Sequence, residues 1–200
     1  VQGCQFAVFQ NAAGAGGTVR AICVKGAAAA LSRKEIDKLV EVAKTYGAKG
    51  LAYTRWTAEA RSSSFEKFLT EEEVAALEAA AGMQQGDVLL VAADADWEKA
   101  CTALGAVRLA VGEKLGLIDK DKFNFLWVTD FPLFEYSEEE GRYMAKHHPF
   151  TMPREEDLDK VEADQGACRA KAYDMVLNGC EVGGGSIRIN DPALQDRMFR

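Results

Sequence analysis

The sequence has no apolar run approaching the roughly 20 residues that a membrane-crossing helix needs, because Lys, Arg, Asp or Glu interrupts every candidate. A helical membrane span is excluded on that ground, and no membrane partner is expected. The N-terminus, Val1-Gln-Gly-Cys4, has no initiator Met, no basic opening and no apolar core, so it reads neither as a signal peptide nor as a native start. The expectation is a fragment of a longer protein. There is no C-x-x-C pair among the five cysteines, Cys4, Cys23, Cys101, Cys168 and Cys180, and their odd number and wide scatter suggest neither a disulfide framework nor a zinc site. Small core thiols in a reducing cytoplasm fit them best. Positive charge is also short, with 24 Lys and Arg against 31 Asp and Glu for a net −7, which argues against broad, charge-driven nucleic-acid binding. A local basic patch is still compatible with that balance. No internal repeat or low-complexity tract breaks the chain.

What is present suits a globular protein: 200 residues, 48% hydrophobic and 28% charged, enough for one large domain or two small ones. Residues 1–9 read as a strand, the glycine-rich stretch Asn11-Ala-Ala-Gly-Ala-Gly-Gly17 as a loop, and residues 19–24 as the returning strand of a hairpin. A phosphate-cradling loop is disfavoured there, since G-x-x-x-x-G-K-[ST] is missing and a strand follows Gly17. Ser32-Arg-Lys-Glu35 has the form of a capping box, and Ile36, Leu39, Val40, Ala43 and Tyr46 continue it at helical spacing up to Gly47. Residues 50–56 read as a strand. Thr70 and Glu73 repeat the cap ahead of Val74, Leu77 and Ala81, with Gly82 as terminator. The apolar run from Asp87 to Ala93 predicts a strand, and the Ala- and Leu-rich stretch behind it a helix reaching about Leu115. The charged turn Asp119-Lys-Asp-Lys122 marks a domain boundary.

The chemical signals lie beyond that boundary. Phe125-Leu-Trp-Val-Thr-Asp-Phe-Pro-Leu-Phe134 opens as a strand and stops at Pro132, and the acidic stretch from Tyr136 to Arg142 reads as a loop or hairpin tip. The chain's two histidines follow, His147 and His148, directly before Pro149. Neighbours on an extended segment face opposite ways and no further His or Cys stands at ligand spacing, so the residues alone favour a hydrogen-bonding role over a metal site. A long helix is expected within residues 151–177, closed by Asn178-Gly179. Cys180-Glu-Val-Gly-Gly-Gly-Ser-Ile-Arg-Ile189 reads as a strand broken by three glycines, with a carboxylate before them and a guanidinium after. Glycine in a strand marks a bulge or a ligand lying close to the backbone. Arg188 offers a planar fork for a carboxylate or phosphate, and Glu181 a hard oxygen for a divalent cation on a nucleotide. Seven positions separate them, so a bulge is needed to bring both to one face.

Four stretches carry a resemblance: Phe125 to Glu135, Met-Ala-Lys-His-His-Pro-Phe-Thr151, Ala-Tyr-Asp-Met-Val-Leu-Asn-Gly179 and Glu-Val-Gly-Gly-Gly-Ser-Ile-Arg-Ile189. Together they resemble the bacterial-type aspartyl-tRNA synthetases. Ser-Arg-Lys-Glu-Ile-Asp37 through Tyr-Gly-Ala-Lys-Gly-Leu-Ala-Tyr53 is similar to the GAD insertion domain of that family, which an archaeal glutamyl-tRNA amidotransferase subunit shares. The fold class expected is α+β. Residues 1–119 would be a GAD-type insertion domain, an antiparallel sheet with helices on one side. Residues 120–200 would be part of a class II synthetase catalytic core, itself an antiparallel sheet.

The resemblance implies a ligase that activates L-aspartate with ATP and Mg²⁺ and passes it to the 3′ end of a tRNA. Arg188 would then pair with the side-chain carboxylate of aspartate, and the loop of His147 and His148 would close over the amino acid, with His147 in direct contact. Glu181 would stand at the ATP and Mg²⁺ site, and Gly183, Gly184 and Gly185 would lie along the ATP. No residue is expected to act as a general acid or base, because such activation rests on alignment and charge neutralisation. The family's motifs 1, 2 and 3 and its N-terminal anticodon-binding barrel are not found in these 200 residues. The fragment is therefore expected to be inactive alone and monomeric, and the parent a homodimer. Two other readings compete. One is a non-catalytic GAD-type module that binds tRNA or protein, as in the amidotransferase subunit, and residues 120–200 argue against it. The other is a sibling synthetase for lysine or asparagine, and Arg188 would repel a lysine side chain.

Overall fold

A computed structural model describes residues 3–199 and divides the chain into two compact units, one ending at Asp119 and one beginning at Lys120. Both are mixed α and β with antiparallel sheets. Among the described residues no helix is long and apolar enough to cross a membrane.

The first unit is built on a four-stranded sheet. Its strands are β1 (Thr18–Val24), β2 (Ala52–Trp56), β3 (Arg61–Ser63) and β4 (Val88–Asp94), in the order β1-β4-β2-β3. All three pairings are antiparallel. Strand β4 is apolar at six of its seven positions, so both of its faces need cover. Val88, Leu90 and Ala92 turn towards Ile36, Leu39 and Ala43 of α2 (Arg33–Thr45) and Ala103, Leu104 and Val107 of α4 (Trp97–Lys114). Leu89 and Val91 turn the other way, onto Phe9, Phe65 and Met83. Helices were expected on one side of this sheet. The second face is covered as well, by α1 (Ala7–Gly14) and α3 (Glu71–Ala81), because the continuous apolar run of β4 leaves it nothing polar to show to water.

Helix α1 is itself a correction. A strand was expected over residues 1–9, of which residues 1 and 2 lie outside the described residues. Phe6, Phe9 and Ala12 recur at three-residue spacing, and Phe9 and Ala12 are buried on one helical face. The Phe6 ring meets Phe9 edge-on at 4.8 Å and Phe68 at 5.3 Å, while Phe9 reaches Phe65 at 5.2 Å. Four aromatic rings outweigh the strand-like alternation of this short segment. The two expected capping boxes also part ways. Thr70 and Glu73 make theirs reciprocally, at 3.2 and 2.9 Å. In α2 neither half of the box forms: Ser32 makes no side-chain capping bond, and Glu35 turns to Lys38 at 2.8 Å and Lys114 at 2.5 Å. Those two ammonium groups pull its carboxyl down to about 2.

The second unit has a three-stranded sheet of β5 (Phe125–Val128), β8 (Ala172–Leu177) and β9 (Cys180–Ser186), in the order β5-β8-β9. Strands β6 (Phe134–Ser137) and β7 (Arg142–Ala145) form a separate hairpin whose tip is the acidic stretch. The long helix expected within residues 151–177 is not there. Two 3-10 turns flank the four-residue helix α5 (Lys160–Ala163), and the segment ends as strand β8. Asn178 and Gly179, with φ of 49° and 85°, form the two-residue turn of a β-hairpin rather than a helix stop, since Leu177 pairs with Cys180. The compact turn region is organised by Asp157, fully buried, which accepts from Arg169 Nε at 2.7 Å, the Arg169 amide at 3.1 Å and Lys160 Nζ at 2.6 Å. Helix α6 (Pro192–Phe199) closes the unit, and Leu133, Phe134, Val161, Cys168 and Ala170 form its small core.

Two outcomes follow for the 200-residue chain. Phe9→Ala should cost about 3–5 kcal/mol in chemical denaturation, whereas Val8→Ala on the exposed side of α1 should stay within about 0.5 kcal/mol. The Arg169 guanidinium and Lys160 ammonium hold the Asp157 carboxyl far below its ordinary 3.8. Its contribution is therefore complete above the ordinary aspartate range and fades as the pH falls below it. Asp157→Asn should lower stability at pH 7 and narrow the gap between urea midpoints measured at pH 7 and pH 3. An unchanged gap would show that Asp157 carries none of the acid sensitivity.

Candidate binding site

The hairpin of β8 and β9 brings the site together through one irregularity. Val176 pairs with Glu181 and Met175 with Gly183, so Val182 is an extra residue with no partner of its own. This bulge cancels the odd spacing noted in the sequence. Counting along β9 without Val182, Glu181, Gly184, Ser186 and Arg188 fall on one face, the face that β8 shares through Ala172, Asp174 and Val176. The backbone of residues 187–189 then pairs with residues 150–152, Ile189 N donating to Phe150 O at 2.9 Å and Met152 N to Ile187 O at 2.8 Å. The histidine loop is thereby tied to the strand that carries Arg188.

The result is a cleft of about 300 Å³ within the second unit. Its lining includes His147, His148, Glu181, Gly185 and Arg188 from the sequence-derived set, and also Phe131, Thr151, Asp174 and Ser186. Both histidines reach it, because the chain bends at residues 146–147 and turns at 149–150 instead of running extended. Thr151 N donates to His148 O at 3.0 Å, and Phe150 N donates to His148 Nδ1 at 3.1 Å, which leaves the proton of a neutral His148 ring on Nε2. The His147 ring stands edge-on to Phe131 at 5.1 Å. Gln195 on α6 donates to Pro149 O at 3.0 Å and holds the loop from behind.

Asp174 was given no part by sequence reasoning. Its signal was the alternation of β8, hidden once that stretch was read as a helix. An added Cβ at Gly184 would run into Asp174 Oδ1 and come within 3.1 Å of Glu181 Oε1, so two carboxylates converge above this glycine. The glycine run therefore makes room for the protein's own side chains in the first place. At Gly185 the neighbour is Tyr173, whose hydroxyl would lie 2.9 Å from a Cβ, and Gly183 faces open space outside the cleft lining.

The chemistry of the lining is divided. Among the described residues, Asp174, Glu181 and the Arg188 guanidinium make no hydrogen bond or ion pair with the protein, although all three line one cleft. Two unpartnered carboxylates offer hard oxygens to a cation such as Mg²⁺, and the described residues hold no cluster of three or more His, Cys, Asp or Glu that could bind one by itself. They fit a cation whose remaining ligands arrive with a phosphate group. Arg188 fits a planar anion. A roomier cleft of about 480 Å³ in the first unit, lined by Ile22, Val24, Leu109 and Leu117 among others, offers no such convergence of polar groups.

Residues 9–104 match the GAD domain family. The whole chain is 56% identical to the aspartate–tRNA ligase of Agathobacter rectalis and 55% identical to the aspartate–tRNA(Asp/Asn) ligase of Lachnoclostridium phytofermentans. It is 54% identical to the aspartate–tRNA ligase of Geobacillus kaustophilus. Each alignment takes in 100% of this chain and 33%, 33% and 34% of the respective relative. The resemblance to bacterial aspartate–tRNA ligases thus holds from end to end, and the chain spans about a third of the length of the curated relatives it matches.

The three glycines should respond differently to alanine. Gly183→Ala should leave stability unchanged or raise it by up to about 1 kcal/mol, since it restricts the unfolded chain and meets nothing. Gly184→Ala should fold with a cost below about 1 kcal/mol, because only the ends of two flexible carboxylates must move. Gly185→Ala should cost about 1–3 kcal/mol, because the Tyr173 ring has to leave its edge-on contact with Trp127. Urea unfolding followed by tryptophan fluorescence gives the ranking, and equal effects at Gly183 and Gly185 would contradict the observed strand register.

Proposed function

We propose that this chain supplies part of the amino-acid and nucleotide site of an aspartate–tRNA ligase, a longer protein that activates L-aspartate with ATP and transfers it to tRNA. One observation carries the proposal: an unpaired guanidinium and two unpaired carboxylates share one face of a bulged hairpin. Arg188 takes the side-chain carboxylate of aspartate in a bidentate pair. The histidine loop lies over the amino acid, with His147 as the direct contact and His148 oriented by the Phe150 amide. Asp174 and Glu181 are the residues that would hold an Mg²⁺ ion accompanying ATP, and the ion would supply neutralisation of phosphate charge. Gly185 presents backbone to the cleft beside the nucleotide, and Gly184 leaves room for the two carboxylates above the strand. None of these groups needs to move a proton. They work by holding the two reactants in register and in a fixed field of charge.

The division of charge also supports the choice of substrate. A lysine side chain would meet Arg188 with like charge, whereas aspartate brings the anion that Arg188 lacks. The GAD-type binding module is the weaker reading, since binding tRNA or protein gives no reason for convergent carboxylates beside an arginine. The resemblance carries the remaining expectations, namely tRNA as second substrate, a homodimeric longer protein and a cytoplasmic setting.

The test is aspartate-dependent ATP–pyrophosphate exchange by the full-length protein beside a folded Arg188→Leu variant. Exchange should be present and should fall at least about 100-fold in the variant, the scale expected when the charged partner of a substrate carboxylate is removed. The 200 residues alone should show none. A full-length protein without aspartate-dependent exchange would overturn the assignment, and an active Arg188→Leu protein would overturn the role of the arginine.

A further inference from the structure

We infer that Asp130 is a positioning residue of the cleft, fixed by ion pairs in a left-handed backbone conformation that sets the Phe131 ring against His147. The inference rests on the reading of His147 as a contact to the amino acid and adds to it the device that holds the imidazole in place. Asp130 has a φ of 60°. Among the described residues Asn178 is the other non-glycine with positive φ, and its hairpin turn explains it. No hairpin turn explains Asp130, which follows the end of β5 in a left-handed conformation that Asp adopts more readily than most L-residues, though still at a cost. Strain of this kind, one residue from a cleft, has to be held by its surroundings.

The surroundings hold it. Arg154 Nη2 lies 2.6 Å from Asp130 Oδ1, Arg169 Nη1 stands 3.7 Å from the same oxygen, and the Thr129 hydroxyl donates to Oδ2 at 3.2 Å. Arg154 reaches this position although its Nε is buried with no hydrogen-bond partner, so its placement serves the pair with Asp130 and not its own full satisfaction. Its backbone is fixed too, since Arg154 N donates to Arg169 O at 2.9 Å. On the other side, Ala170 N donates to Phe131 O at 2.7 Å, and Pro132 and Pro153 bridge to Arg169 and Ala170. With backbone fixed before and after it, Phe131 presents its ring edge-on to His147, 5.1 Å between centroids and 82° between planes. Removing the Asp130 carboxylate frees residue 130 to relax to negative φ, which swings the ring away and leaves His147 unsupported.

His147 and His148 are the only histidines in the chain, so each gives its own Hε1 resonance in a proton spectrum. In the 200-residue protein, Asp130→Ala, which removes the ion pairs together with the tolerance of positive φ, should shift the His147 resonance towards that of a free imidazole and leave His148 in place. Phe131→Leu removes the ring directly and should shift the same resonance, which keeps the inference testable if Asp130→Ala fails to fold. In the full-length protein, Asp130→Ala should raise KM for aspartate about tenfold while KM for ATP stays within about twofold. An unmoved His147 resonance in a folded variant overturns the positioning role by itself. A parallel rise of both KM values, as from a purely structural loss, overturns it as well. Absence of aspartate-dependent exchange in the unsubstituted protein overturns the functional reading, and the role towards substrate with it.

Discussion

A single residue without a partner, Val182, governs what the second unit presents to a ligand. Side chains on a strand alternate with a period of two, so a regular hairpin would send Glu181 and Arg188 to opposite faces. The register slip between Met175 and Val176 shifts everything beyond Val182 by one place and brings the carboxylate and the guanidinium round to one side. Asp174 joins them because it is paired with Gly184 across the same ladder. Bulges re-aim side chains at the cost of a locally broken ladder. Here the broken ladder lies beside three glycines, where few side-chain contacts are lost with it.

The site combines charges that would ordinarily pair with one another. Asp174, Glu181 and Arg188 line one cleft yet form no ion pair, whereas Asp157, Arg169, Lys160, Glu162 and Arg197 in the same unit are all engaged. The charges that build the turn region are paired within the protein, and the three that share the cleft are not. Residues with opposite charge held apart suit a ligand, or a pair of ligands, that carries both an anionic end and a cation-bridged phosphate. One small amino acid and one nucleotide meet that description, and a single flat nucleic-acid surface does not.

The limits of the sequence reading follow from the same physics. Elements with strong local signals were legible: the amphipathic α2, the capping box of α3, the buried β4 and the Ala- and Leu-rich α4 all lie where periodicity and the α3 cap put them. Two segments were misread, a short one at residues 6–12 and a longer one at residues 151–177, each for a definable reason. Residues 6–12 carry their signal in four aromatic rings, of which Phe65 and Phe68 are distant in sequence, so no local window contains it. Residues 172–179 contain Asn-Gly, a hairpin signal that also resembles a helix stop, and choosing the helix hid both β8 and Asp174. At the site, Arg188, Glu181 and the two histidines were legible as chemistry. Their meeting was not, since it depends on a bulge and on a bend at residues 146–147 that no spacing rule gives.

The glycine run shows how one motif can serve two physical demands. A ligand close to the backbone and a carboxylate above the backbone both forbid a Cβ, and from the sequence the two are indistinguishable. In the structure Gly184 yields its space to Asp174 and Glu181, while Gly185 yields its space to Tyr173 on the opposite face. The strand is thinned from both sides at successive residues. A strand thinned in this way packs poorly by itself, and three exposed glycines would weaken the edge of any sheet. The two carboxylates that share the space above Gly184 find no partner within the protein, so the thinned strand brings like charges together without neutralising them. That uncompensated convergence is the feature on which the proposed Mg²⁺ role of Asp174 and Glu181 rests.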